Sequence, residues 1–270
     1  MTEAGGAREG EATSDPRVTP RTLRGVWLGR RRYEAVLELQ ERLLTARREG
    51  RIQDVMLLLE HEPVVTRGRG AKPEHLLASP EALAERGIEL VTTNRGGDIT
   101  LHAPGQLVAY PIVDLSPDRR DVRRWVKNLS ETMRRIALEL GVAAGSHAKH
   151  VGLWADRAAP RQFSVAEAAA EPVKIGAIGV RISHWITMHG FALNLEPELD
   201  LYRAIVPCGI REHGVSSIAE LGGERLSVER AAERALALLA EITGAEATPL
   251  LRAQATDLAG VESALAATAA

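Results

Sequence analysis

Chemistry in this chain is concentrated in four short stretches. The first, "YRAIVPCGIREHG", holds Cys208, the only cysteine in 270 residues. Pro207 before it and Gly209 after it indicate a turn rather than a core position. A lone cysteine is otherwise a small buried apolar residue. A reactive one needs a nearby cation or helix terminus to bring its pKa below the usual ~8.5. Arg211, His213 and the distant Lys174 are the cations to consider. Lys174 opens the second stretch, "KIGAIGVRI", where Gly176 and Gly179 interrupt an apolar strand. Glycine in a strand marks close approach by a ligand or by another backbone. The lysine there either snorkels at the surface or faces a cleft lined by bare main chain.

The third stretch, "RGGDITLHAPGQ", sets two adjacent glycines before a His-x-Pro-Gly turn, with Arg95 and His102 as polar groups at either end. It reads either as backbone cleared for a ligand or as a plain Gly-rich hairpin. In the fourth, "TMHGFALNL", strand alternation puts Met188, Gly190, Ala192 and Asn194 on one face. His189, Phe191, Leu193 and Leu195 fall on the other. Small residues at 190 and 192 leave a slot for an aliphatic chain, or room for a packed helix. His189 itself reads as a hydrogen-bonded structural histidine.

These stretches need a frame to hold them. "TLRGVWLG" predicts a short strand and "RRYEAVLELQERLLTARREG" an amphipathic helix stopped by Gly50. "DVMLLLEHE" predicts a buried strand, and Pro63 to Pro73 a loop. "SPEALAERG" predicts a short helix capped by Ser79. "IELVTTNRGGDITLHAPGQLVAYPIVDL" reads strand, Gly-rich loop, strand, turn, strand. Strong helices follow at "DRRDVRRWVKNLSETMRRIALELG" and at "SVERAAERALALLAEITG", the second capped by Ser227 and closed by Gly244. Two strand regions, "KHVGLWAD" and "KIGAIGVRISHWITMHGFALNL", lie between them, separated by an insert at 157–172 that reads as a mobile surface loop. Central strands with flanking helices predict an α+β fold. The expected organisation is a disordered tail over 1–20, one domain over 21–246, and a tail or loose helix over 247–270.

Composition narrows the partners. The net charge is −2 and aromatic residues make up 3 % of the chain, so neither bulk electrostatics nor stacking platforms point to nucleic acid. No apolar run approaches the ~20 residues of a membrane span. The N-terminus has no apolar signal core, so a soluble cytoplasmic protein is expected. One cysteine excludes an internal disulfide. His147 and His150, without a cysteine or acidic partner, do not make a metal site. No phosphate-binding P-loop and no G-x-S-x-G elbow is present.

Taken in order, the stretches resemble the lipoyl(octanoyl) transferases. That family moves an octanoyl group from acyl carrier protein onto a lysine of lipoate-dependent enzymes. "RGGDITLHAPGQ" is similar to the family's RGG-x-x-T-x-HGPGQ, and "LLEHEPVVTRGR" to its EH-x-P-V-x-T-x-GR. "KIGAIGVRI", "TMHGFALNL" and "IVPCGI" follow at the family's spacing, and the likeness covers residues 22 to 245. Ala103 stands where the family usually has glycine. The resemblance implies the lipoate and biotin protein ligase fold, a mixed, largely antiparallel central sheet with flanking helices. It implies Cys208 as the acyl-thioester nucleophile and Lys174 as its partner. It also implies substrate contacts from Arg95, Gly96, Gly97, Asp98, Ile99, Thr100, Leu101 and His102. Further contacts fall on Ala177, Ile178 and Gly179, and on Gly190, Phe191 and Ala192. The implied partners are octanoyl-acyl carrier protein and the apo lipoyl domains of 2-oxoacid dehydrogenases and of glycine cleavage H protein. No cofactor is implied.

The chemistry agrees with that implication. A thioester and an amine react downhill to an amide, so no nucleotide is required, and a thiol carrier splits the transfer into two easier steps. At ~0.8 kcal/mol per methylene, seven or eight carbons contribute ~5–6 kcal/mol to binding in an apolar slot. Lys174 is expected to assist the Cys208 thiolate and to shuttle protons. Backbone N–H groups near Cys208, together with His102, are the expected oxyanion donors. A basic rim for acidic carrier domains is expected among Arg67, Arg69, Arg119, Arg120, Arg123 and Arg124, unless those arginines are simply a solvated face. The alternatives are an ATP-dependent lipoate or biotin protein ligase, and a non-catalytic lipid- or carrier-binding module.

Overall fold

The computed structural model describes residues 21–163, 165–210, 213–253 and 258–267, with only the backbone at Cys208, Leu258 and Ala259. The N-terminal segment 1–20 and Arg211 lie outside the described residues. The chain runs β1 (Arg21–Arg31), α1 (Tyr33–Arg48), β2 (Asp54–His61), β3 (Val64–Arg67), α2 (Pro80–Glu85), β4 (Glu89–Thr92), β5 (Ile99–His102) and β6 (Gln106–Ile112). It continues through α3 (Val122–Glu139), β7 (Leu153–Asp156), β8 (Pro172–Ser183), β9 (Ile186–Asn194) and β10 (Gly214–Val215). It ends with α4 (Val228–Thr243), β11 (Ala245–Ala247), β12 (Leu251–Arg252) and α5 (Leu258–Ala267).

The main sheet has nine strands in the order β10-β8-β9-β6-β2-β1-β11, with β12 also on β1 and β7 on β8. Its centre, β2-β6-β9-β8, is antiparallel, while β1 runs parallel to β2 and β10 parallel to β8. Helices cover both faces because each carries an apolar stripe at helical spacing. On one face α1 buries Val36, Leu39 and Leu43 against Leu57, Val108 and Tyr110, and α5 adds Val261 and Leu265. On the other, α3 and α4 bury Leu129, Met133, Ile136, Leu236 and Leu239 against Met56, Leu58, Phe191 and Leu193. Side-chain caps set the helix starts: Asp121 accepts from Arg124 N at 2.9 Å, and Ser79 from Ala82 N at 3.2 Å. The fold is α+β, as expected. No helix among the described residues is long and apolar enough to cross a membrane.

Two stretches depart from the sequence reading. Val64–Arg67 is a strand, not part of a loop. It lies between β4 and β5 in a separate three-stranded sheet, where Val64 and Val65 are fully buried. The insert after β7 is docked rather than free. Pro160 O accepts from Ala143 N at 2.8 Å, Arg161 donates to Gly141 O at 2.7 Å, and Ala166 packs with Trp154 and Ile210.

Candidate active site

A cavity of about 370 Å³ opens where the small sheet meets the β8–β9 ladder. Its volume falls in the range of small-molecule sites. Arg95, Gly97, Asp98, Thr100 and His102 line one wall, and Ala177, Ile178, Gly179, Gly190, Phe191 and Ala192 another. The two strand segments face each other in register, Ala177 opposite Ala192, Ile178 opposite Phe191 and Gly179 opposite Gly190. Gly96, Ile99 and Leu101 do not line the cavity. Gly96 N donates to Val180 O at 3.0 Å, tying the loop to β8. Ile99 and Leu101 turn away into the core beneath the small sheet. The missing side chain at Gly190 serves packing as much as the slot, because a Cβ there would collide with Ala109 O on β6. Ala103 is buried in the same core and does not need a left-handed backbone; Gly105, φ +85°, makes that turn.

Lys174 is 6 % exposed, so it does not snorkel. Its Nζ sits 5.8 Å from the centre of the Trp154 ring. A small recess beside the cavity, sharing Thr100 and Ala177 with it, is lined by both Lys174 and Pro207. The chain explains that meeting. After the Pro207–Gly209 turn it returns as β10, where Val215 pairs with Lys174 and Ser216 N donates to Lys174 O at 3.0 Å. Within the turn, Gly209 N and Ile210 N donate to Val206 O and Pro207 O at 3.0 and 3.1 Å. Those two N–H groups are committed, which removes them as oxyanion donors.

His102 is removed from that role as well. Ser216 O accepts from Asn194 Nδ2 at 2.9 Å, so Asn194 Oδ1 faces Gln106 Nε2 at 2.8 Å. Gln106 Oε1 therefore faces His102 Nδ1 at 2.6 Å and requires a proton there. Burial holds the His102 pKa near 4, leaving a neutral ring whose Nε2 is an acceptor. His61 behaves alike. Its Nδ1 donates to Arg31 O at 3.0 Å, its Nε2 accepts from the Tyr110 hydroxyl at 2.9 Å, and burial lowers its pKa to about 3.

His189 departs from simple alternation. At φ +58° its ring leaves the Phe191 face, meets Tyr110 edge-on at 6.2 Å, and bonds Asn94 Oδ1 at 3.0 Å. Burial lowers its pKa to about 3. Arg95 is anchored beneath the wall, donating to Thr66 O at 2.7 Å and to Gly96 O at 3.1 Å. Among the described residues no group of three His, Cys, Asp or Glu side chains could hold a metal ion.

Comparison with known proteins places this architecture. Residues 32–240 match the lipoyl protein ligase A/B catalytic domain. An octanoyltransferase of Chloroflexus aurantiacus is 41 % identical over 227 residues, covering 84 % of this chain and 96 % of that protein. The chain belongs to the octanoyltransferases. They are acyltransferases, and this member is also 44 % identical to one of Myxococcus xanthus over 83 % of its own length and 61 % of that protein's. Among solved structures, a bipartite lipoate protein ligase of Thermoplasma acidophilum shares the fold at TM-score 0.63 and 13 % identity, covering 93 % of this chain and 92 % of that one. A lipoate-protein ligase A bound with ATP matches at TM-score 0.62 and 15 % identity, over 93 % and 94 %.

Several residues around this octanoyltransferase cavity were not singled out from the sequence. Tyr33, Gly70, Tyr110, Lys149, Val151 and Ile210 line it, as do His189 and His150, the latter weighed in the sequence only as a metal candidate. His61, in the "EHEP" segment, was visible as part of a motif but carried no role. Tyr33 gave no local signal, since it sits at the first turn of an ordinary helix. Of the arginines considered for a rim, none lines the cavity. Arg69 comes nearest, next to the lining residue Gly70, with its N–H on Arg95 O at 3.1 Å. Arg119 pairs with Asp118 and Arg120 lies over the Trp185 ring, both away from the lining.

Proposed function

We propose that this chain transfers an octanoyl group from octanoyl-acyl carrier protein to the target lysine of an apo lipoyl domain, through a thioester on Cys208. The observation that carries the reading is the shared recess. Lys174, buried and approached by the returning strand β10, lines the same pocket as Pro207, the residue before the thiol.

The steps follow from that neighbourhood. The Lys174 ammonium favours the thiolate of Cys208, which attacks the thioester carbonyl. As the tetrahedral intermediate forms, the same ammonium supplies charge to the oxyanion, because the N–H groups of Gly209 and Ile210 are engaged. Lys174 then gives its proton to the leaving pantetheine thiol. In the second half it takes a proton from the incoming lysine amine, which attacks the acyl-enzyme and releases Cys208. His102 and His189, which line the cavity, are held neutral, so neither adds a second positive charge beside Arg95. A lipoyl-domain acceptor is in keeping with the E2 lipoyl domain named with the Thermoplasma ligase.

Intact-mass spectrometry after incubation with octanoyl-acyl carrier protein tests the nucleophile. The expected result is a hydroxylamine-labile octanoyl adduct on the wild type and none on Cys208→Ala. An adduct that persists in Cys208→Ala rejects it. Lys174→Ala is expected to lower kcat by ~10²–10⁴, the range for one acid–base group. Near-full transfer by that variant at neutral pH would remove the proton-shuttle role. Activity with free octanoate plus ATP, indifferent to Cys208→Ala, would favour the ligase alternative.

A further inference from the structure

The turn that carries Cys208 rests on two side chains to which the transfer steps assign no role. His75 Nδ1 and Asp98 Oδ2 are 2.5 Å apart, and both side chains are largely buried. The other carboxylate oxygen, Oδ1, accepts from Ile99 N at 2.8 Å and from Lys72 N at 3.2 Å. A carboxylate held this way only accepts, so the imidazole presents its Nδ1–H to Asp98.

The main chain of the same segment is tied to the approach to Cys208. Val206 N donates to His75 O at 2.7 Å, and Leu77 N and Ala78 N donate to Ala204 O at 2.9 and 3.0 Å. Leu76 also forms a β-bridge with Ile205. Gly209 completes the contact. Its φ is +71°, and a Cβ there would lie 2.6 Å from His75 Cε1 and 2.8 Å from Asp98 Oδ2. The imidazole edge and the carboxylate thus press directly on the main chain one residue beyond the nucleophile.

We propose that His75, oriented by Asp98, is a positioning residue for the nucleophile. It fixes the Pro207–Gly209 backbone and so the place where Cys208 meets the acyl donor. The proposal deepens the octanoyl-transfer reading and rests on it for the reaction. The operative nitrogen is Nδ1, through its bond to Asp98, and not Nε2 acting as an acid or base.

The two nitrogens can be told apart. An asparagine amide reaches the place of Nδ1, and a glutamine amide the place of Nε2. The experiment compares His75→Asn, His75→Gln and His75→Ala by kcat and KM with octanoyl-acyl carrier protein. It adds the pH dependence of Cys208 alkylation by iodoacetamide, and Tm. His75→Ala and His75→Gln are expected to lose about 10²-fold in kcat, the scale of a 1 Å misplacement. Their KM should stay within about threefold, as for an interaction that counts chiefly in the transition state. Their alkylation profiles should shift from that of the wild type. His75→Asn should return close to wild-type kcat and alkylation.

Rescue by glutamine but not asparagine overturns the proposal in favour of Nε2. Unchanged kcat and alkylation in His75→Ala overturn it outright. Equal losses in all three variants, in step with Tm, leave His75 as a structural brace only and also overturn it. If wild-type protein transfers no octanoyl group, the functional reading fails, while the alkylation series still decides the positioning role.

Discussion

At the level of single residues, the site depends on positions where a side chain is missing. Gly152 is the sharpest case beside Lys174. Its φ is +144°, and a Cβ would lie 2.5 Å from Gly176 O and 2.5 Å from Lys174 Cε, with Nζ at 3.2 Å. The contact with the Gly176 carbonyl forces the main chain at residue 152 to shift, and the contact with Lys174 Cε forces the lysine stem to move. Gly152→Ala is therefore expected to displace the ammonium and lower kcat by about 10²-fold. The unfavourable backbone conformation should cost about 1–3 kcal/mol of stability. Steady-state kinetics and urea unfolding on the same preparation check both. Wild-type kcat in a destabilised variant would show that transfer tolerates a displaced Lys174. Cys208 and Lys174 were singled out by their neighbours and given roles by the family resemblance, whereas Gly152 drew no notice, because its contacts exist only once β7 has paired with β8.

At the level of elements, what could be read was what local chemistry dictates. The apolar spacing of α1, α3 and α4 and the caps at Ser79 and Ser227 gave those helices directly. Val64–Arg67 was hidden because four residues between prolines carry too little pattern, and its strand character comes from β4 and β5 on either side. His189 was placed on the wrong face because alternation assumes extended backbone, and its positive φ is a tertiary feature. The glycine-bearing segments marked two walls of the cavity. Tyr33 and Tyr110 were invisible, and His150 was weighed only as a metal ligand, because only folding brings α1, β6 and the loop before β7 to one place.

The C-terminal segment gives the prediction at this scale. The sequence suggested a tail or loose helix over 247–270; within that range Leu258–Ala267 is helical, as α5, and buries Val261 and Leu265 against the α1 face. Leu265→Ala should lower unfolding free energy by about 2 kcal/mol, the low end for a buried leucine because α5 lies at the edge of the core. kcat at 25 °C should not change. A loss below about 0.5 kcal/mol, the scale of ordinary surface substitutions, would show that α5 contributes no core packing in solution.

At the scale of the whole molecule, the core and the cavity share one buried group of histidines. Tyr33 lies 5.0 Å from His61 and 6.1 Å from His102 by ring centres, and His61 lies 5.6 Å from His102. Tyr110 links His61 to His189. Removal from water is the first cause of all three depressed pKa values, and further positive charge nearby, from Arg95 or from a neighbouring histidine, adds to it. In the unfolded chain each ring takes up a proton near pH 6.5, whereas in the folded protein it does so only near pH 3 to 4.

The unfolded state therefore binds more protons between those limits, and stability falls as pH falls. The contribution is complete above about pH 7 and is lost progressively below 6.5. Near pH 5 three such rings give a slope of about 4 kcal/mol per pH unit, at 1.36 kcal/mol for each proton. Urea unfolding from pH 8 to 4 should show a plateau and then this steep decline. Carboxylates add their own decline in the same range, so the wild-type curve alone does not assign it. His61→Gln does, because an amide at that position has no proton to gain. Its slope near pH 5 should be smaller than that of the wild type by about 1.4 kcal/mol per pH unit, one proton's share, even if its plateau is lower. Equal slopes in the two proteins would mean that His61 is not held neutral by the fold.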